Sequence, residues 1–263
     1  MNTVVSIGAK ARAALEASGG RAHPLAAFPD APYFEAAGEI VWVGSKLPGR
    51  HPRAVRTSQP VVRGGVVLFD SLPRETWSAV LPPAQRVAQA AVAAVLDGLG
   101  EPRGFGAWLF GGTPAFPLNL AVPRVDAVAV AYRSDDAQAA YAASRALLGL
   151  GTGLTPSGDD LCGAALFGKR LVSRDSRWHA VGDRLAVDAR SATHAISAAL
   201  FADLAAGASF ESLHALADAL VAGDDAAAID AARALVVLGH SSGWDMLTGF
   251  VIGIAANSPG NHS

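Results

Sequence analysis

Up to about residue 130 the chain alternates short apolar runs with Pro and Gly. The runs at 39–45 (EIVWVGS), 60–70 (PVVRGGVVLFD), 106–111 (GAWLFG) and 125–133 (VDAVAVAYR) predict strands. They are rich in β-branched and aromatic residues and are bounded by turn formers. The segment 83–98 interrupts them as an Ala-rich helix, with Gly98 as its stop. A further short helix is expected over 8–18. From residue 135 the pattern changes to helix. Ser134 is the expected cap of the next helix, with acids in the first turn. Helical patterns follow at 158–172, 177–206, 209–222, 224–238 and 242–256, each rich in Ala and Leu. The expected fold class is α+β: a β-rich N-terminal part (1–135) with one or two helices, then an all-helical part (136–263).

Composition narrows the class of protein. Of 263 residues, 51% are hydrophobic and 17% charged. That is too apolar for disorder, while no uncharged apolar run reaches the ~18 residues of a spanning helix. No secretory leader is read at the start, and the lone Cys162 cannot form an internal disulfide. The expectation is a cytoplasmic protein without a membrane partner. A net charge of −2 argues against a nucleic-acid partner. The charge is uneven, at +3 over 1–135 and −5 over 136–263. Lys46, Arg50, Arg53, Arg56 and Arg63, with His51 among them, make the 46–69 stretch basic. It is either a solvated loop or an anion-binding or docking edge.

Candidate chemistry gathers in two polar islands. The first is GLGTGLTPSGDDLCGAALFG, at 149–168. Gly151, Gly153 and Gly158 give it backbone freedom, and Thr155 and Ser157 supply hydroxyls. Ser157 is the expected cap of a helix with Asp159 and Asp160 in its first turn. Glycine amides with hydroxyls suit a phosphate at a helix start, and paired carboxylates suit Mg²⁺ or a polar ligand. A plain capped loop fits the same residues. The spacing is neither that of a Walker loop nor that of a dinucleotide fingerprint. The second island is GHSSGWDML, at 239–247. Here Ser241 or Ser242 is the expected cap, Asp245 lies in the first turn, and His240 can carry a proton. Between the islands, Thr193 and Ser197 are four apart, so they are expected on one helix face, with Arg190 and His194 on a neighbouring one.

The string GLGTGLTPSGDDLCGAAL resembles a signature of the AllH-like family, and GHSSGWDMLTGFVIG resembles a second signature nearer its C-terminus. The THAIS stretch fits a weaker third one. The resemblance covers roughly 140–256. Thr152 stands where the family usually has Pro, and Cys162 where a bulkier apolar residue is common. The resemblance implies a subunit of oxamate carbamoyltransferase, working beside other subunits in allantoin breakdown. Its reaction joins carbamoyl phosphate and oxamate into oxalurate and phosphate. Carried onto the matching positions, Asp159, Asp160, His240 and Asp245 are the catalytic candidates. Gly151, Gly153, Thr155, Ser157, Gly158, Thr193, Ser197, Ser241 and Ser242 are the candidates for holding a small anionic substrate or its phosphate. No metal ligand set is assigned, with Mg²⁺ kept as a candidate ion. Two other readings stay open: a non-catalytic docking subunit, and a Mg²⁺-dependent phosphotransferase or hydrolase.

Overall fold

The structure is a computed structural model, and it describes residues 3–26, 33–61 and 65–255. It divides into two compact units, 1–79 with 209–211, and 80–208 with 212–263.

The first unit holds a six-stranded mixed sheet. Its strands are β1 (Val4–Ile7), β2 (Arg21–Ala26), β3 (Tyr33–Ala36), β4 (Glu39–Gly44), β5 (Ala54–Thr57) and β6 (Val67–Leu68), in the order β1-β5-β4-β3-β2-β6. Among the described strands, β4 and β5 are the pair that run parallel. Helix α1 (Ala9–Ala17) packs Ala11, Ala14 and Leu15 into a core with Phe34, Val41, Val43 and Val55. The expected strand at 39–45 and helix at 8–18 are therefore present. The 60–70 run shortens to β6, and its residues 62–64 lie outside the described residues.

The basic stretch is largely spent inside this unit. Arg53, 5% exposed, pairs with Glu39 at 2.7 Å, and its N–H donates to His51 Nδ1 at 3.1 Å. Arg56 donates to the Leu47 carbonyl at 2.7 Å, and Arg50 pairs with Glu211. Arg63 lies outside the described residues.

Among the described residues, the regular elements of the second unit are helices. Helix α2 (Gln89–Asp97) confirms the Ala-rich segment before Gly98, and begins six residues later than expected. Two expected strands are helices instead: α3 (Gly106–Leu109) replaces the one at 106–111, and α4 (Val122–Arg133) the one at 125–133. In α4 the buried residues are Val125, Val128, Ala129, Ala131 and Tyr132, and all but Ala131 follow the i, i+3, i+4, i+7 spacing of one helix face. The alternating Val and Ala of VAVAY satisfied both periods, and packing selected the helical one. Helix α5 (Ala137–Arg145) is capped by Asp136, which accepts the N–H groups of Gln138 and Ala139; Ser134 is not the cap.

Helix α6 (Ser157–Val172) is the axis of the unit, buried from Ser157 through Lys169. The expected helix over 177–206 is two, α7 (Ser176–Ala192) and α8 (Ala195–Ala205), broken at Thr193–His194. Helices α9 (Glu211–Ala222), α10 (Asp225–Val236) and α11 (Ser242–Ile254) complete the chain order. Among the described residues no helix is long and apolar enough to cross a membrane.

Helix α11 runs beside α6 in the same direction, at very short range. A Cβ on Gly249 would stand 1.9 Å from the Leu161 carbonyl oxygen, and one on Gly253 would stand 2.1 Å from that of Ala165. Only glycine permits so close an approach of two backbones. The consequence is positional, because the first turns of α6 and α11, which carry the two islands, begin side by side.

Candidate functional site

At these paired helix starts lies a cavity of about 380 Å³. Thr152, Gly153, Thr155 and Ser157 line it from the first island, and Gly239, His240, Ser241 and Ser242 from the second. Gly104 and the segment Ala115–Leu118 close the other side. The islands touch directly, with Thr155 Oγ1 and Ser242 Oγ 3.0 Å apart.

The loop before α6 is shaped by its glycines. Gly151 has φ +126°, and a Cβ there would stand 2.6 Å from the Ser157 nitrogen. The cap of α6 is Pro156 in extended conformation, with no side-chain capping bond, so Ser157 opens the helix instead of capping it. Three amides at this helix start are already taken. Gly158 N–H donates to the Leu150 carbonyl, and the N–H groups of Asp159 and Asp160 donate to that of Pro156. Hydroxyls supply much of the polar lining that this start turns to the cavity.

The three aspartates occupy different environments. Asp159, 2% exposed, has its carboxylate filled by donors. Oδ1 accepts the Gly149 N–H at 2.7 Å, and Oδ2 accepts Thr193 Oγ1 at 2.5 Å and Ser197 Oγ at 2.8 Å. Thr193 and Ser197 do point to one place, although they flank a helix break. That place is Asp159, and neither residue lines the cavity. Arg190 and His194 are exposed.

Asp245 is fully buried on α11, and its Oδ1 accepts the Phe105 N–H at 2.7 Å. Burial raises its pKa to about 6, against the lowering effect of that N–H and of the hydroxyls of Ser157 and Ser241. Asp160 is raised well above the ordinary carboxylate range. Burial does most of this, the nearby Asp245 charge adds to it, the Ser242 hydroxyl opposes it, and Asp159 raises it a little further. The Asp245 charge thus adds to the cost of ionising Asp160 in this dry seam.

His240 stands exposed at the rim, lining the cavity. Cys162 is wholly buried, and burial pushes its thiol pKa up, which fits a packing role. Among the described residues no group of three or more His, Cys, Asp or Glu is placed to hold a metal ion. The donors that fill Asp159 also keep the Asp159–Asp160 pair from presenting two open carboxylates.

The sequence reading missed the third wall. Gly104, Phe105 and Ala115–Leu118 lie in the part expected to be β-rich, and no local pattern ties them to the islands. Gly104 is the one position there with a readable constraint. It has φ +53°, and a Cβ would stand 2.4 Å from Asp245 Oδ1.

No curated protein and no solved structure matches the chain. Residues 147–254 match the family model described as oxamate carbamoyltransferase subunit AllH, so the AllH-like resemblance holds over the segment that carries both islands.

Proposed function

We propose that the chain is a working subunit of a carbamoyltransferase of the oxamate type, and that the hydroxyl-lined cavity takes its small, anionic, amide-bearing substrate. The observation that supports this is that both islands inside the matched segment wall a single cavity, joined by the Thr155–Ser242 contact. Its volume suits a small metabolite.

In the reaction, the amide nitrogen of oxamate attacks the carbonyl carbon of carbamoyl phosphate. The bond from that carbon to the phosphate oxygen breaks, and phosphate leaves with the electron pair. The nitrogen loses one proton and oxalurate is formed. Thr155, Ser157, Ser241 and Ser242 orient the reacting amide, which lowers the entropy cost of the step. His240 at the rim takes the nitrogen's proton and passes it to phosphate. Gly151, Gly153 and Gly158 let the loop lie flat against the start of α6. Asp159, with Thr193 and Ser197, holds that loop from behind. Among the described residues, those lining the cavity include no Lys or Arg; the phosphate charge is assigned to basic side chains of partner subunits or to accompanying Mg²⁺. The setting is cytoplasmic catabolism of the allantoin type.

The test is turnover of the reassembled enzyme, with oxalurate and phosphate supplied and carbamoyl phosphate measured. Ser242→Ala and His240→Ala in this chain are expected to lower turnover by about 10²-fold with the assembly intact. Wild-type turnover in both variants would overturn the reading and leave a docking subunit.

A further inference from the structure

The first unit carries a cavity of its own, of about 380 Å³, which shares no lining residue with the one between the islands. Strand β1 forms one wall, and the segment 73–78 forms another. That segment is tied down at two places. Trp77 N–H donates to the Ile7 carbonyl at 2.8 Å, and Ala9 N–H donates to the Trp77 carbonyl at 3.0 Å. Arg12, on α1, donates to the Thr76 hydroxyl and to the Pro73 carbonyl. Residues 74 and 75 are therefore held between anchored neighbours, in a wall that needs no ligand to form it.

Those two residues are Arg74 and Glu75, and both line the cavity. In an extended chain consecutive side chains alternate between faces. The chain bends at Arg74, which breaks that alternation. Among the described residues, neither side chain has a hydrogen-bond or ion-pair partner, and the two do not pair with each other. The third charged lining residue, Arg50, is committed already. It pairs with Glu211, and its guanidinium carbon lies 6.0 Å from the centroid of the Trp77 ring. With Glu211 included, cations and carboxylates balance around the cavity. A site without excess charge does not concentrate a bare anion such as phosphate. An adjacent cation and carboxylate that leave each other unpaired suit a ligand carrying both signs.

We propose that this cavity is a binding site for a small zwitterion of the amino-acid class, with its carboxylate on Arg74 and its ammonium on Glu75. The Arg74 guanidinium offers a planar fork that matches a carboxylate. The Glu75 carboxylate accepts from the ammonium. The hydroxyls of Ser6 and Ser78 lie in the same lining and can donate or accept beside either charge. Val5, Ile7 and Trp77 supply the apolar surface that a ligand side chain needs. The proposal uses no residue of the islands and stands independently of the carbamoyl reading.

The test is calorimetric titration of the full chain, near pH 7, with three probes of similar shape. Leucine carries both charges, 4-methylpentanoate only the carboxylate, and 3-methylbutylamine only the ammonium. The wild type is expected to bind leucine at least about tenfold more tightly than either single-charge probe, the worth of one charged hydrogen bond. Arg74→Gln is expected to weaken leucine binding at least about tenfold. Glu75→Gln is expected to bring leucine down to the level of 4-methylpentanoate. Both variants should melt with the wild type, because neither side chain is bonded within the fold.

The proposal is overturned if the wild type gives no saturable heat with leucine. It is overturned equally if leucine and 4-methylpentanoate bind alike, which would make this an anion site. Leucine binding that survives both substitutions places the ligand elsewhere and also overturns it. Ser242→Ala, in the cavity of the second unit, fixes the location. Unchanged leucine binding in that variant supports the proposal, and its loss assigns the ligand to the islands instead.

Discussion

Thr155 and Ser242 lie 87 residues apart in the chain and 3.0 Å apart in space, oxygen to oxygen. One closes the glycine loop before α6 and the other opens α11. Their contact depends on the backbone approach of the two helices, where carbonyls of α6 meet glycines of α11. The cavity is thus a product of helix packing, and perturbing the seam should perturb the site.

Gly249→Ala tests the seam. The new methyl would meet the Leu161 carbonyl oxygen, which belongs to the backbone and cannot swing aside. Overpacking of this kind costs about 1–3 kcal/mol or more. Gly100→Ala is the control, since a Cβ there meets nothing within 4 Å. Denaturant unfolding should show a clear loss for the first and little change for the second. Equal stability of the two would contradict the packing described.

Asp159 is expected to behave as a structural residue. Its carboxylate accepts three hydrogen bonds, one from backbone and two from side chains. An Asn keeps one accepting oxygen and turns an N–H₂ group toward donors. Hydrogen bonds to a charged group contribute about 1.5–3 kcal/mol each, so Asp159→Asn should lose several kcal/mol in chemical denaturation. Full stability combined with lost turnover would move Asp159 into the chemistry.

Asp245 makes stability depend on pH in an unusual sense. Its pKa in the fold, about 6, lies above its ordinary value. The folded state therefore holds more protons than the unfolded one between about pH 4 and about pH 6. This stabilisation is complete below the unfolded pKa and is lost as pH rises through about 6. Asp245→Asn removes the buried charge, so its melting temperature should exceed the wild type's at about pH 8 and approach it at about pH 5. A variant less stable than wild type at both values would show that the hydrogen bonds outweigh the burial of charge.

His214 gives the opposite slope. Burial lowers its pKa to about 4, and its ring lies edge-on to Phe167 with centroids 5.0 Å apart. The unfolded state then binds the extra proton between about pH 6.5 and about pH 4. Stability present above the unfolded pKa is lost as pH falls through that window. His214→Gln, which cannot take up that proton, should flatten the acid side of the stability curve. An unchanged slope in this variant would assign the acid loss to other groups.

Much was legible in the sequence alone. The Ala- and Leu-rich periodicity determined the helical C-terminal part, because a repeated apolar stripe needs no distant partner to specify a helix. The islands stood out because glycines, hydroxyls and acids interrupt an otherwise apolar pattern. Strand β4 and helix α1 were equally local, but α3 and α4 were not. Alanine suits either period, and only burial against the second unit's core made 106–109 and 122–133 helical. Tertiary structure alone separated the roles of neighbouring acids. Asp159 and Asp160 are adjacent in sequence and alike in chemistry, yet one faces three donors and the other a second carboxyl. It also brought Phe105 to Asp245 across 140 residues. Local patterns encode which residues are polar and which elements they start; which polar groups meet is set by long-range packing, here by glycines that let two backbones touch.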